Sequence, residues 1–241
     1  MTALRSALFL LGAFVITPFF GFLIPVTWIL NRKWPFHVAR HYAGTTLKWA
    51  EWTCGIRVDV RGWENVPKTP AIIMAKHQSA WETLFMEARF PAQCWIVKRE
   101  LLWLPFVGWG LMAIRCIAID RSSGTTAREQ VVQQGRQRLG EGHWVTIFPE
   151  GTRVAPGKRG RYGIGGALLA TRTGVPILPI AHNAGEFWPR YAFRKRAGCV
   201  KVVVGPLIRT EGRDAISVNQ ELEGWIEDRM REISKEPHAG P

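Results

Sequence analysis

The sequence predicts an α/β fold: a mixed, mostly parallel sheet flanked by helices, behind an N-terminal apolar helical membrane segment. Three observations predict it. No charged residue occurs from Ser6 to Leu30, a stretch long enough to span a bilayer. Beyond Trp52, runs rich in β-branched and apolar residues alternate with helical stretches. Two of those runs, "AIIMAK" and "WVTIFP", lead into polar clusters, and in open α/β sheets ligands gather beyond the carboxyl ends of the strands. The division falls at residue 52, with membrane-associating helices in 1–52 and the α/β domain in 53–241.

Pro18 and Pro25 interrupt the apolar segment, and Gly12 and Gly21 loosen it. A bent insertion from one side therefore competes with a single spanning helix. The apolar run is too long for a cleaved signal peptide, and no small-x-small site follows it. Arg5 precedes the run, while Arg32, Lys33 and Arg40 follow it. Positive charge on both flanks favours a segment that enters and returns on the cytoplasmic side. The next stretch, "NRKWPFHVARHYAGTTLKWAEW", mixes Trp, Phe and basic residues. It reads either as a helix at lipid headgroups or as an ordinary amphipathic helix packed on the domain.

Strands are expected at "GIRVDVRG", "AIIMAK", "AQCWIVK", "CIAID", "WVTIFP", "VPILPIA" and "CVKVVVG". Helices are expected from Trp81 to Ala88, Thr125 to Leu139, Gly165 to Thr173 and Asn219 to Ile233. Leu222, Ile226 and Ile233 share one face of the last, which packs it on the domain edge. The Gly- and Arg-rich stretch from Thr152 to Gly166 reads as a loop carried by a rigid sheet.

The 241 residues suffice for one sizeable core, and the formal charge of +13 implies an anionic partner or surface. Twelve tryptophans tilt that surface toward a membrane interface. The four cysteines are scattered without a C-x-x-C pair, so neither a zinc site nor a disulfide framework is expected, and the compartment reads as reducing and cytosol-facing.

His77 is the first candidate for chemistry, because neutral imidazole is a natural general base near pH 7. Glu82 supplies a carboxylate that would fix its tautomer. On one helix five residues turn the pair roughly 140° apart, so the pairing needs His77 in the loop and Glu82 in the first helical turn. Ser79-Ala80-Trp81-Glu82 also matches a capping box, on which reading Glu82 serves only the backbone. The spacing leaves both roles open, and a helix N-terminus keeps a carboxylate ionised in either case. In "FPEGTR", Gly151 permits close backbone approach and exposed N–H groups, and Arg153 suits a phosphate. Lys98 and Arg121 each end an apolar run beside the same crevice, with a plain surface role open for both. Lys158, Arg159 and Arg161 read as a solvated loop face. His143 precedes its strand, at the wrong end of the sheet, and His182 reads as an ordinary polar residue.

Four ordered blocks together resemble the lysophospholipid (glycerol-phosphate) acyltransferase family, most of all its bacterial 1-acyl-sn-glycerol-3-phosphate acyltransferases. They are "HQSAWE" (His77 to Glu82), "IAIDR" (Ile117 to Arg121), "FPEGTR" (Phe148 to Arg153) and "VPILPI" (Val175 to Ile180). The likeness spans roughly Gly55 to Pro206, and the apolar N-terminus is also family-like. The family's first block usually carries Asp where this chain has Glu82.

The resemblance implies a glycerol-phosphate acyltransferase-like fold and transfer of an acyl chain from acyl-CoA or acyl carrier protein to the sn-2 hydroxyl of lysophosphatidic acid. It implies His77 as base and Glu82 as its orienting partner. It makes Lys98, Arg121 and Arg153 candidates for the acceptor phosphate, with Glu150, Gly151 and Thr152 in the same substrate-binding loop. It implies no metal and no cofactor. It places the protein at the cytoplasmic face of the cell membrane, inserted through its N-terminal segment. The alternatives are another acceptor such as a lyso-ornithine lipid, or a non-catalytic lipid binder. Nucleic-acid binding, which the charge permits, is set aside by the apolar N-terminus and the four blocks.

Overall fold

The computed structural model describes residues 2–120 and 124–235. Two long helices, α1 (Thr2–Leu30) and α2 (Trp34–Cys54), precede a seven-stranded sheet of order β1-β7-β6-β2-β5-β3-β4. The strands are β1 (Ile56–Arg61), β2 (Ile72–Ala75), β3 (Gln93–Lys98), β4 (Ile117–Ile119), β5 (Trp144–Ile147), β6 (Ile177–His182) and β7 (Gly198–Val204). Every neighbouring pair is parallel except β6 and β7. The remaining helices are α3 (Trp81–Arg89), α4 (Val107–Ala113), α5 (Gly124–Gly140), α6 (Gly165–Thr173) and α7 (Ala215–Ile233).

Side chains alternate across the sheet with period two. Ile73 and Ala75 of β2 enter a core shared with α1 to α4, while Ile72 and Met74 enter a core shared with α5 to α7. All four residues of β2 are buried, as a central strand covered on both faces requires. β2 and β5 are parallel neighbours, so the polar residues that follow them meet at one edge.

The expected strands and helices form, with two differences. α7 begins at Ala215, a turn earlier than its apolar periodicity indicates, because Asp214 caps it by accepting from the N–H groups of Ile216 and Ser217 at 3.0 and 2.9 Å. α4 carries two glycines in seven residues, which hides it from a propensity reading.

The N-terminal segment differs more. α1 continues through Pro18 and Pro25, and its glycines are contact points rather than loose joints. A Cβ on Gly12 would lie 2.2 Å from the Trp49 indole nitrogen, and one on Gly21 would lie 2.5 Å from Phe106 Cβ. The Arg5 guanidinium donates to the Thr53 carbonyl at 2.6 Å, Trp49 donates to the Phe9 carbonyl at 3.1 Å, and Phe9 meets Trp188 edge-on at 4.8 Å. α2 packs between α1 and α3 with eight of its residues buried, and its exposed face carries Trp34, His37, His41, Thr45, Lys48, Glu51 and Trp52. The other side of α1 leaves Leu11, Phe14, Val15, Phe22, Ile29 and Leu30 exposed.

Candidate active site

β2 delivers Lys76 and His77 to the sheet edge, and α3 begins four residues later. His77 Nδ1 lies 2.9 Å from Glu82 Oε1. The same oxygen accepts the backbone N–H groups of Gln78 and Ser79 at 2.9 and 2.8 Å. Ser79 Oγ accepts the Trp81 N–H at 3.1 Å. The helix start thus holds Glu82, and Glu82 holds the imidazole: the two roles that the spacing left open coexist. Burial acts to raise the Glu82 carboxyl, but the His182 and His77 rings and the Ser79 N–H outweigh it and keep the group below its ordinary value. An ionised Glu82 makes Nδ1 the protonated ring nitrogen, leaving Nε2 with a lone pair. Phe148 stacks on the ring at 3.9 Å and 8°, which fixes the plane in which Nε2 points.

Behind His77 lies a second set of charges. Lys76 is wholly buried, and its ammonium sits 2.8 Å from both Glu150 Oε1 and Glu227 Oε1. Tyr162 donates to the same Glu227 oxygen at 2.8 Å. Glu150 Oε2 accepts the His77 backbone N–H at 2.9 Å. Burial raises the Glu150 carboxyl, with Lys76 acting to lower it. This cluster joins the end of β2, the loop after β5 and α7 into one rigid support. His182 completes it. Its Nδ1 accepts the Ala184 N–H at 3.3 Å, so Nε2 carries the proton given to the Lys76 carbonyl at 2.7 Å. Burial depresses its pKa, in keeping with a neutral ring.

An elongated cleft of about 370 Å³ opens beside His77. It runs between β3 and helices α1 to α4, past Ile24, Ala43, Leu84, Val97 and Ile114, and is mostly apolar, as small-ligand sites are. Lys98 and Arg153 stand in its lining with His77 and Phe148. Lys98 is about half exposed and pairs with Glu100 at 2.9 Å. Glu150 faces inward to Lys76 instead, with both oxygens engaged by protein donors. Gly151 adopts φ +66°, and its N–H is spent on the Phe148 carbonyl at 3.0 Å, so it supplies the turn rather than the free donor expected of it. Thr152 is exposed on that turn. Arg121 lies outside the described residues.

The model of the Acyltransferase family matches residues 57–183. The chain belongs to the acyltransferase family. It is 41% identical to a 1-acyl-sn-glycerol-3-phosphate acyltransferase of Pseudomonas aeruginosa, over 96% of this chain and 92% of that one. It is 34% identical to the human 1-acyl-sn-glycerol-3-phosphate acyltransferase alpha, over 77% of this chain and 68% of that protein. In fold it resembles the crystal structure of the 1-acyl-sn-glycerophosphate acyltransferase PlsC from Thermotoga maritima, with a TM-score of 0.81, 21% identity, and coverage of 96% and 95% of the two chains.

Sequence reasoning missed Lys76, Glu227, Tyr162 and the Phe148 stack. Glu227 carried a signal, since it sits beside Ile226 on the face of α7 that also bears Leu222 and Met230, where a charge is buried only with a partner. Lys76 carried another, as a lysine continuing a fully apolar strand.

Proposed function

We infer that the protein is a 1-acyl-sn-glycerol-3-phosphate acyltransferase that converts lysophosphatidic acid to phosphatidic acid in phospholipid biosynthesis. The observation that carries this reading is His77, whose Nε2 has a lone pair and no hydrogen-bond partner among the described residues, in the lining of an apolar cleft with Glu82 fixed behind it. The acyl chain of an acyl-CoA or acyl carrier protein thioester lies in the cleft. The sn-2 hydroxyl of the acceptor attacks the thioester carbonyl, a C–O bond forms, and the C–S bond breaks. His77 takes the hydroxyl proton at Nε2 and returns it to the departing sulfur. Glu82 stabilises the imidazolium that forms between those steps.

Lys98, Arg153 and Arg121 bind the acceptor phosphate, Arg153 with the geometry best suited to it. Gly151 and Thr152 set the turn that presents Arg153. Glu150 acts by holding the His77 backbone. The helices of residues 1–52 associate with the membrane, chiefly through the exposed apolar face of α1, and 53–241 carry the chemistry, at the cytoplasmic face of the cell membrane. The unpaired state of all four cysteines supports that side. α1 is long and apolar enough to cross a bilayer. It touches the domain from Arg5 to Ile24, roughly 28 Å at 1.5 Å per residue, which favours insertion from one side over crossing.

The test is thiol release from acyl-CoA and from acyl carrier protein with lysophosphatidic acid as acceptor, with phosphatidic acid identified as product. Wild type is expected to turn over with at least one donor and His77→Ala to lose turnover almost completely. Activity on lyso-ornithine lipid but not on lysophosphatidic acid would move the acceptor, and full activity in His77→Ala would remove the mechanism.

A further inference from the structure

The peptide units on both sides of His77 are tied down. The Lys76 N–H donates to the Ile180 carbonyl at 3.0 Å, and the Lys76 carbonyl accepts from His182 at 2.7 Å. The His77 carbonyl accepts the Val154 N–H at 2.8 Å, and the His77 N–H goes to Glu150 Oε2 at 2.9 Å. Glu150 differs from the other partners, because it is an acidic side chain in the loop after β5 and its aim has to be set. Lys76 sets it. Its ammonium has three donors, and they go to Glu150 Oε1 at 2.8 Å, Glu227 Oε1 at 2.8 Å and the Lys158 carbonyl at 3.4 Å. Gly160 closes over the same carboxylate, and a Cβ there would lie 2.6 Å from Glu150 Oε1. A continuous line of bonds therefore runs from Glu227 on α7 through Lys76 and Glu150 to the His77 backbone.

α7 does not need these charges in order to pack. Leu222, Ile226, Met230 and Ile233 already bury one face of it against the domain. Taking an ammonium and two carboxylates out of water is costly, and apolar groups of the same volume commonly hold a fold as well. What ions provide and apolar groups do not is a fixed direction. Here that direction points the second oxygen of Glu150 at the His77 N–H. Glu227 also lies beyond residues 57–183, the part of the chain that the family model matches.

We propose that Glu227 is a positioning residue for acyl transfer: acting through Lys76 and Glu150, it fixes the peptide that carries His77 and makes α7 a working part of the active site. This rests on the acyl-transfer reading above and adds to it a residue that touches no substrate.

The experiment compares full-length wild type, Glu227→Ala, Glu227→Gln and Leu222→Ala in one detergent, below the melting temperature of all four. Leu222→Ala is the control, since it opens a cavity under the same helix without touching the line of bonds. Two readouts are taken: kcat and KM for donor and acceptor, and the imidazole Nδ1–H resonance of His77 in protein labelled with 15N-histidine. Glu227→Ala should lose about 10- to 100-fold in kcat, the scale of a base displaced by up to about 1 Å, with both KM values within about threefold. Its Nδ1–H resonance should broaden through exchange with water. Glu227→Gln keeps an oxygen for Lys76 and Tyr162 and should restore kcat to within about threefold of wild type. Leu222→Ala should melt earlier yet keep wild-type kcat and a sharp resonance. A folded Glu227→Ala with wild-type kcat, or a Leu222→Ala that loses as much, would overturn the proposal. Should Glu227→Ala not fold, Lys76→Met combined with Glu227→Leu replaces the ions by apolar volume and is expected to show the same loss, so full kcat in that pair overturns it equally. Absence of transfer in wild type would remove the acyl-transfer reading, and the His77 resonance would still decide whether Glu227 positions the ring.

Discussion

Glu82→Gln separates charge from architecture at the candidate active site. In wild type one carboxylate oxygen serves His77 and two backbone N–H groups. A glutamine carbonyl oxygen can accept all three, so the helix start and the Nδ1–H tautomer survive; the variant removes the negative charge and places its amide NH2 where Glu82 Oε2 is buried without a hydrogen-bond partner, a cost that falls on stability. That charge lies about 4 Å from the centre of the imidazole, where an effective dielectric of about 20 makes it worth about 4 kcal/mol to the imidazolium. At ~1.36 kcal/mol per factor of ten, kcat should fall about 10³-fold. KM for donor and acceptor should stay within about threefold, because neither substrate meets Glu82 before the proton moves. Thiol-release kinetics, read beside a thermal melt, measure both effects. A folded Glu82→Gln retaining more than about a tenth of wild-type kcat would refute the reasoning and reduce Glu82 to a helix-capping group.

Three further outcomes follow from the geometry. Lys76→Met leaves two buried carboxylates without their shared cation and should cost about 3–5 kcal/mol in denaturant unfolding, with part recovered when Glu150→Gln and Glu227→Gln are added. Arg153→Ala should raise KM for lysophosphatidic acid by about 10- to 100-fold, the worth of a charge-assisted hydrogen bond, and leave the donor KM unchanged in steady-state kinetics. Burial raises the folded pKa of Glu87, in the cleft lining, from its ordinary 4.5 to about 7, so its contribution is complete below about 4.5 and is lost as pH rises through about 7. Urea melts across that range should show wild type losing up to about 3 kcal/mol relative to Glu87→Gln, reduced by whatever screening water in the cleft provides. A constant difference between the two would remove the titration from Glu87.

The fold was legible wherever one residue type repeats at one period. β2, β5 and β6 are continuous apolar runs, and α5 and α6 form within a residue of where their patterns predict them. The His77–Glu82 pair was legible as a choice between two roles, because sequence spacing does not say that a single oxygen can serve both. Contacts between residues far apart in the chain were not legible. Lys76 meets Glu227 across 151 positions, and nothing local to either announces the other. The glycines of α1 misled for the same reason. A glycine that loosens a helix and a glycine that admits an indole are the same letter, and only the position of Trp49 distinguishes them.

The packing of α1 bears on how the protein and its bilayer influence each other. Thr17, Gly21 and Ile24 form part of the cleft wall, while Phe14, Phe22 and Ile29 of the same helix face outward. A single helix, about 10 Å across, lies between the cleft and that outward apolar face, so wherever the face meets a bilayer the helix alone parts hydrocarbon from cleft. Shortening the protein by this helix would therefore remove a side of the cavity along with the anchor. Lateral pressure and lipid thickness, acting on the outer face, would be felt at the inner one, so turnover is expected to vary with the bilayer in which it is measured even when the concentrations of both substrates are held fixed.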